Sequence, residues 1–184
     1  MVAYRETVTL SKIIYEGPIF SVETQDVDLY NGKKAKRDIV RHVPAIGVLA
    51  FVDDEHIILE KQWRATISDF ILEIPAGKLD QRDFDEPHHA VERELNEELR
   101  MAAGSIEKAL GFVETVGFSD AYMHLYVARN LTPIEQDQQL PRDLGETMDL
   151  VTMSFSEVKS LFDSGKLIDQ KTVTAFLYWN YLRG

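Results

Sequence analysis

The chain of 184 residues contains no cysteine, which excludes disulfides, thiol nucleophiles and cysteine-ligated zinc. It also lacks any apolar stretch approaching the roughly 18 residues that a membrane-spanning helix needs. No charged start followed by an apolar run marks a signal peptide, and no repeat or low-complexity segment is visible. These absences are compatible with a reducing compartment, and we expect a cytoplasmic protein without a membrane partner.

Positive charge is scarce as well. The 20 lysines and arginines face 31 aspartates and glutamates, which leaves a formal net charge of −11. Such an acidic surface disfavours general binding to nucleic acid. A phosphate-bearing substrate must therefore meet a local positive site or a bound metal ion.

The patterns of apolar residues predict strands that bracket the helices without strictly alternating with them. An Asn31-Gly32 turn between two alternating runs indicates a hairpin, so residues 1–43 are predicted to form a small antiparallel sheet. Residues 44–184 are predicted to form one larger domain, with a mixed sheet between helices. Its predicted strands are 45–52, 56–63, 70–74, 106–114, 123–128 and 149–155, and its later helices are 156–162 and 171–181; the first sheet has strands at 2–14, 20–30 and 35–42.

The segment from Arg93 to Glu98 groups three carboxylates on one helix. At about 100° per residue, a stripe that includes Leu95 and Ala102 is predicted to be buried, and the acidic side chains occupy the neighbouring arc. Two charges about 4 Å apart interact by about 4 kcal/mol near a protein surface, and Arg93 is expected to relieve only Glu97. Hard, partly desolvated oxygen ligands suit Mg²⁺ or Mn²⁺. An ordinary solvated acidic face is the alternative; the stripe comprises Val91, Leu95, Leu99 and Ala102, and the arc Glu94, Glu97 and Glu98.

The preceding segment favours the metal site. Gly77, Asp85 and Arg93-Glu94-Leu95-x-Glu97-Glu98 resemble the Nudix box, G-x5-E-x7-R-E-U-x-E-E-x-G-U, where U is apolar. The loop after Gly77 is two residues longer than the pattern, and Asp85 is assigned to the first Glu by counting back from Arg93. Asp85 is also expected to cap the helix. Arg100 stands at the closing Gly, so we expect the helix to continue to Gly104.

This resemblance implies an α/β fold, namely a Nudix α/β/α sandwich around a mixed sheet, with the N-terminal antiparallel sheet as an annex. The annex is similar to that of ADP-ribose pyrophosphatases and related nucleoside diphosphate sugar hydrolases. There it forms the homodimer and supplies part of the nucleotide pocket. A homodimer, a nucleotide-sugar substrate and two or more Mg²⁺ (or Mn²⁺) ions are therefore expected.

The resemblance also implies roles for the residues of the box. Glu94 and Glu98 are expected to be the principal metal ligands, with the Ala76 carbonyl completing the set. Glu97 is expected to be a further ligand or to hold a water, and Arg93 to orient the carboxylates. Glu146, in the loop before the last strand, is the predicted general base; an exposed loop acid is the alternative.

Four further residues are candidates for substrate binding, each with an alternative. Arg64 and Arg37 can grip a phosphate, or each can form a surface salt bridge. Phe20 can stack on a base, or pack in the core or a dimer interface. Glu73 can accept from a nucleobase or a ribose hydroxyl, or simply point outward from its strand.

Together these residues predict metal-dependent hydrolysis of the pyrophosphate bond of nucleoside diphosphate sugars to a nucleoside monophosphate and a sugar phosphate. Val116 stands where ADP-ribose pyrophosphatases tend to carry proline, which leaves room for GDP-mannose and other sugars beside ADP-ribose. Hydrolysis of nucleoside triphosphates or dinucleoside polyphosphates is an alternative, as is a non-catalytic nucleotide-binding module.

Overall fold

A computed structural model describes residues 4–80, 82–142 and 145–184. The chain divides into two compact units, one of Met1–Pro44 with Phe112–Tyr122 and one of Ala45–Gly111 with Met123–Gly184. The strands are β1 (Thr7–Glu16), β2 (Phe20–Asp28), β3 (Lys34–His42), β4 (Ala45–Asp53), β5 (His56–Arg64), β6 (Asp69–Glu73), β7 (Ala76–Lys78), β8 (Met101–Val113), β9 (Tyr122–Pro133) and β10 (Met148–Ser154). The α-helices are α1 (His88–Glu94), α2 (Phe155–Asp163) and α3 (Gln170–Leu182).

The first unit contains an antiparallel sheet in the order β1-β2-β3, as predicted. Gly32 turns the hairpin between β2 and β3 with φ of 78°, a conformation that glycine adopts readily. The strand predicted from residue 2 begins at Thr7, and residues 2 and 3 lie outside the described part of the chain. Residues 112–122 join this unit through β3, where Val40 donates to the Phe118 carbonyl at 2.8 Å.

The second unit is built on a mixed sheet in the order β10-β5-β4-β9-β8, with β6 paired to β5 and β7 to β4. Strand β4 runs parallel to β9 and antiparallel to β5 and β7. The short strand β7 was not predicted, because Pro75-Ala76-Gly77 has the composition of a turn. Its pairing sets Gly77 opposite Ile46 in the core strand β4.

Helices cover both faces of β4, and this confirms the predicted α/β/α arrangement. Ile46 and Val48 pack in one buried cluster with Val91 of α1. Phe51 meets Trp179 of α3 edge to face, with ring centroids 5.4 Å apart. None of the helices in the described ranges is long and apolar enough to cross a membrane.

The helix that bears the acidic residues ends earlier than predicted. After α1 the chain continues as a π-helical turn, Leu95–Leu99, and Arg100 then adopts the left-handed conformation (φ 60°, ψ 33°). The expected continuation to Gly104 is therefore wrong, and Ala102 lies exposed in β8 instead of in the buried stripe. Left-handed backbone costs a non-glycine residue about 1–2 kcal/mol. Hydrogen bonds from the Arg100 guanidinium to the carbonyls of Asn96 and Leu140 offset that cost.

Candidate active site

Three carboxylates from different parts of the second unit meet in its interior. Glu94 and Glu98 are only 5% and 3% exposed, so they are more deeply buried than the sequence indicated. Glu60 on β5 is equally buried, at 3%, and its carboxyl interacts with that of Glu98 through a hydrogen bond. The Oε1 atom of Glu60 is buried and has no hydrogen-bond partner among the described residues.

Burial and mutual repulsion make the ionised forms of this cluster costly. Burial raises the pKa of Glu94 to about 7; Arg93 opposes the rise, while Glu97 and Glu146 add to it. Burial is also the main cause of the raised pKa of Glu98, with further contributions from Glu60, Glu94 and Glu146. The pKa of Glu60 is raised by burial as well. A divalent cation bound here would supply the missing countercharge and a partner for the orphaned Glu60 oxygen, so the residues present fit a metal ion.

Glycine is required at position 77 because the Glu94 side chain lies directly over it. A Cβ atom built on Gly77 would stand 1.7 Å from Glu94 Oε1 and 2.6 Å from its Cγ. This close approach depends on β7, which holds Gly77 against the sheet. The Gly of the box thus makes room for the carboxylate of its second Glu.

Arg93 holds several acidic groups at once. Its Nη1 lies 2.7 Å from Glu94 Oε1 and 3.4 Å from Glu97 Oε2, which confirms the predicted i,i+4 pair. Its Nη2 donates to the Lys78 carbonyl at 3.1 Å and to Asp83 Oδ2 at 3.3 Å. The expectation that Arg93 relieves only Glu97 is therefore wrong. The guanidinium ties the helix to the loop after β7.

Asp83 replaces Asp85 as the acidic residue of the box. Asp83 is buried (4% exposed) and binds Arg93, whereas Asp85 is exposed. Pro87 stands at the start of α1, without a side-chain cap, so the cap expected from Asp85 is also wrong. Counting back from Arg93 failed because the two additional residues lie after Asp83, between it and the helix. Counting forward from Gly77 would have found it.

Ala76 contacts the cluster through its backbone. Its N–H donates to Glu98 Oε2 at 3.1 Å, which fixes one oxygen of that carboxylate at the start of β7. The role predicted for the Ala76 carbonyl as a metal ligand stays a prediction.

Arg64 and Glu73 form the next part of the site. Arg64 Nε and Nη2 donate to the two Glu73 oxygens at 2.5 and 2.8 Å, and Lys171 from α3 also binds Glu73. Burial alone would raise the pKa of Glu73, but Arg64 and Lys171 hold it below its usual value. Glu73 pairs with Glu60 across β5 and β6, so this network adjoins the carboxylate cluster. Arg64, Glu73 and Lys171 also line an open pocket of about 420 Å³.

Glu146 lies close enough to add its negative charge to Glu60, Glu94 and Glu98. Its neighbour in the predicted loop, Leu144, lies outside the described residues. The structure therefore brings Glu146 together with the box carboxylates, and its role as a base stays a prediction.

Phe20 and Arg37 belong to the first unit. Phe20 is half-buried and packs against Tyr15, with ring centroids 5.3 Å apart. Arg37 forms a two-pronged ion pair with Glu6, in keeping with the salt-bridge alternative. Their predicted contribution to nucleotide binding stays a prediction.

Glu60, Asp83 and Lys171 are the site residues that sequence reasoning missed. A glutamate closing the apolar run Ile57-Ile58-Leu59 was the one available signal for Glu60. A separate trio, Glu86, His88 and His89, has ligand atoms within 4.8 Å of one another, but all three side chains are exposed. Among the described residues, this is the group of three potential ligands that lie this close together. It is exposed to solvent, unlike the buried cluster of Glu60, Glu94 and Glu98.

The fold and the cluster together define an α/β protein with a buried acidic site of the kind that holds divalent cations. A model of the NUDIX domain family matches residues 41–176. The chain belongs to the NUDIX family and is a hydrolase of that family, as the resemblance predicted.

Individual relatives extend over nearly the whole chain. An ADP-ribose pyrophosphatase of Bacillus subtilis (strain 168) is 34% identical over 178 residues, which cover 97% of this chain and 94% of that protein. A methanol dehydrogenase activator of Bacillus methanolicus is 33% identical over 175 residues, covering 95% and 92%. A crystal structure of an ADP compounds hydrolase matches with a TM-score of 0.85 over 97% of this chain and 94% of its own, at 20% identity, which supports the fold.

Proposed function

We propose that this protein hydrolyses the pyrophosphate bond of ADP-ribose and related nucleoside diphosphate sugars, releasing a nucleoside monophosphate and a sugar phosphate. The observation that carries the proposal is the buried group of Glu60, Glu94 and Glu98, which is unfavourable without a cation among its members. A pyrophosphate bridge is itself strongly anionic, so a site for its cleavage needs such cations.

Mg²⁺ or Mn²⁺, as two or more ions, would be held by Glu94 and Glu98, with Glu60, Glu97 and the Ala76 carbonyl as further candidate ligands. When bound, such ions neutralise phosphate charge and lower the pKa of a bound water. Arg93 holds Glu94 in place through its contact at 2.7 Å. The Ala76 N–H does the same for Glu98.

Other side chains would handle the substrate itself. Glu146 lies near the carboxylate cluster and accepts the proton of the attacking water as general base. Arg64 donates from Nε and Nη2 to Glu73, and these two hydrogen bonds fix the plane of the guanidinium. Its Nη1 then donates to a phosphate oxygen of the substrate. Lys171 also pairs with Glu73, so that carboxylate is shared between two cations and leaves part of the Arg64 charge for a phosphate.

The relatives and the pocket beside Arg64 support the proposed substrate class. One relative is named an ADP-ribose pyrophosphatase. The pocket is lined by Arg64, Glu73 and Lys171, and its volume of about 420 Å³ would accommodate a sugar phosphate. Val116 is 83% exposed, so its side chain does not form the wall of a buried substrate pocket. We therefore include GDP-mannose and other nucleotide sugars among the proposed substrates.

We also propose a homodimer formed by the first unit. Every residue of β1 is exposed, and its apolar side chains Leu10 and Ile13 are 60% and 56% exposed. A long apolar edge strand left open to water favours pairing with another chain. Phe20 and Arg37 would then contribute to nucleotide binding. Light scattering at micromolar protein concentration should give twice the chain mass, and a monomer would contradict this proposal.

A substrate panel tests the function. ADP-ribose, GDP-mannose, other nucleotide sugars, deoxynucleoside triphosphates and dinucleoside polyphosphates are incubated with Mg²⁺ or Mn²⁺, and the products are separated by chromatography. We expect AMP and ribose 5-phosphate from ADP-ribose, and loss of this activity by at least about a hundredfold in Glu98→Gln. Faster turnover of triphosphates than of every nucleotide sugar would refute the substrate class, and unchanged activity of Glu98→Gln would refute the metal site.

A further inference from the structure

The segment of residues 134–142 is fastened to the end of the helix that carries the box carboxylates. Asn96 donates to the Gln138 carbonyl at 3.1 Å and accepts from the Leu140 N–H at 2.9 Å. Arg100 adds its guanidinium to the Leu140 carbonyl, and its own carbonyl accepts from the Ile134 N–H at 2.9 Å. On the box side, all of these contacts are made by Asn96, which lies between the carboxylates, and by Arg100, which follows them.

Arg142 makes the contact closest to the ligands themselves. Its Nε donates to the Glu97 carbonyl at 3.2 Å and its Nη2 to the Glu98 carbonyl at 2.8 Å. The last helical hydrogen bonds run from Arg100 N–H to the carbonyls of Asn96 and Leu95. The carbonyls of Glu97 and Glu98 lie beyond them and need an external donor. A guanidinium near the negative end of a helix is also favourable electrostatically.

We propose that Arg142 is a positioning residue for the hydrolysis: its two hydrogen bonds hold the turn that bears Glu97 and Glu98 against the chain four positions before Glu146. Arg142 precedes Glu146 by four positions. Among the described residues, no other guanidinium donates to the backbone of Glu97 or Glu98. Arg142 thereby joins the turn that bears the proposed metal ligands to a point of the chain close in sequence to the proposed base. This inference rests on the proposed function, since it assigns the effect to Glu146 acting as base.

An arginine at position 142 suits a positioning role better than it suits simple capping of the helix end. A lysine is a point donor, whereas the planar guanidinium reaches two successive carbonyls at once and so fixes an orientation as well as a distance. Asn96 and Arg100 hold the segment further from Glu146, at Gln138 and Leu140. Their loss should therefore disturb the base less than the loss of Arg142 does.

A double-mutant cycle on the full-length protein tests the proposal. The kcat and KM for ADP-ribose with saturating Mg²⁺ are measured for the unmodified protein, Arg142→Ala, Arg142→Lys, Glu146→Gln and the double variant Arg142→Ala/Glu146→Gln. Arg129→Ala is the matched control, because Arg129 pairs with Asp54 at the surface. Circular dichroism melting of each variant reports whether the fold is intact.

We expect Arg142→Ala to lower kcat by about ten- to a hundredfold with KM changed by less than about twofold, because misplacement of a catalytic group by about 1 Å costs about that much. Arg142→Lys should lie between Arg142→Ala and the unmodified protein. In the Glu146→Gln background the same Arg142→Ala change should cost less than about twofold, since the group it positions is already gone. A merely structural role would cost the same in both backgrounds.

The remaining outcomes separate this proposal from the one on which it rests. Equal losses in both backgrounds, or no loss in Arg142→Ala, would overturn the positioning role and leave the proposed function intact. Full activity of Glu146→Gln would overturn the assignment of the base and the positioning role with it. Absence of activity on ADP-ribose and every other nucleotide sugar in the unmodified protein would overturn the proposed function itself.

Discussion

Replacing Gly77 with alanine should greatly reduce activity while it changes the stability of the fold only a little. The new methyl group would stand 1.7 Å from Glu94 Oε1, 2.0 Å from its Cδ and 2.6 Å from its Cγ. None of these distances is compatible with the observed position of the Glu94 side chain. The backbone can remain in place, because Gly77 does not adopt a positive φ, so the carboxylate has to move.

The sizes of the two effects follow from the contacts involved. Displacing Glu94 breaks its hydrogen bond with Arg93, a loss of about 1–3 kcal/mol for a charged pair that is largely buried. Alanine in a permitted conformation restores about 0.4–1 kcal/mol by restricting the unfolded chain. The net change in the free energy of unfolding should therefore stay within about 2 kcal/mol. Activity should fall by at least about a hundredfold, because a proposed metal ligand moves by more than 1 Å.

The assay compares kcat for ADP-ribose over a range of Mg²⁺ concentrations with the urea midpoint of unfolding. Gly117→Ala is the matched control, since a Cβ there meets no atom within 4 Å. We expect the control to retain full activity, and Gly77→Ala to lose activity and need far more Mg²⁺. More than half of the normal activity in Gly77→Ala would refute the assignment of Glu94 as a ligand.

Three further predictions concern the carboxylate cluster and the turn that follows it. Glu60→Gln removes one of the crowded buried carboxylates, so without Mg²⁺ it should raise the free energy of unfolding by about 1–3 kcal/mol. It should also weaken the rise in melting temperature that Mg²⁺ causes. A melting temperature below that of the unmodified protein without Mg²⁺ would contradict this. Because the folded-state pKa of Glu94 is raised to about 7, its contribution to stability in EDTA should be complete below about pH 4.5 and should be lost as the pH rises through 7, by up to about 3 kcal/mol. Urea unfolding at pH 5 and pH 8 checks this, and Mg²⁺ at pH 8 should reverse the loss. Arg100→Ala should be about 1 kcal/mol less stable than Arg100→Gly, since both lose the guanidinium but only alanine keeps the left-handed strain; equal midpoints would show that no strain is stored there.

Elements with strong local signals were predictable from the sequence. The Asn31-Gly32 turn needs positive φ next to alternating residues, and β4 is an unbroken apolar run, so both were placed closely. The buried positions Val91, Leu95 and Leu99 also follow from helical periodicity alone. In each case the information lies within a few residues of the element itself.

Other features depend on contacts between distant segments, and local patterns did not reveal them. Arg100 takes a backbone conformation that favours glycine because Leu140, forty positions later, accepts its side chain. Glu60 becomes part of the cluster only because the sheet sets β5 beside β6 and the helix end brings Glu98 to it. Strand β7 is too short to show any periodicity and exists through its pairing with β4.

The contact between Arg93 and Asp83 has a consequence for how distant members of such a family are detected. The requirement is that an acidic side chain reach the guanidinium from the loop, and a loop of another length satisfies it equally well. A search string with invariant gaps would pass over this chain or assign the wrong aspartate. A search that lets the gap vary on the helix side of the acidic residue would retrieve it correctly.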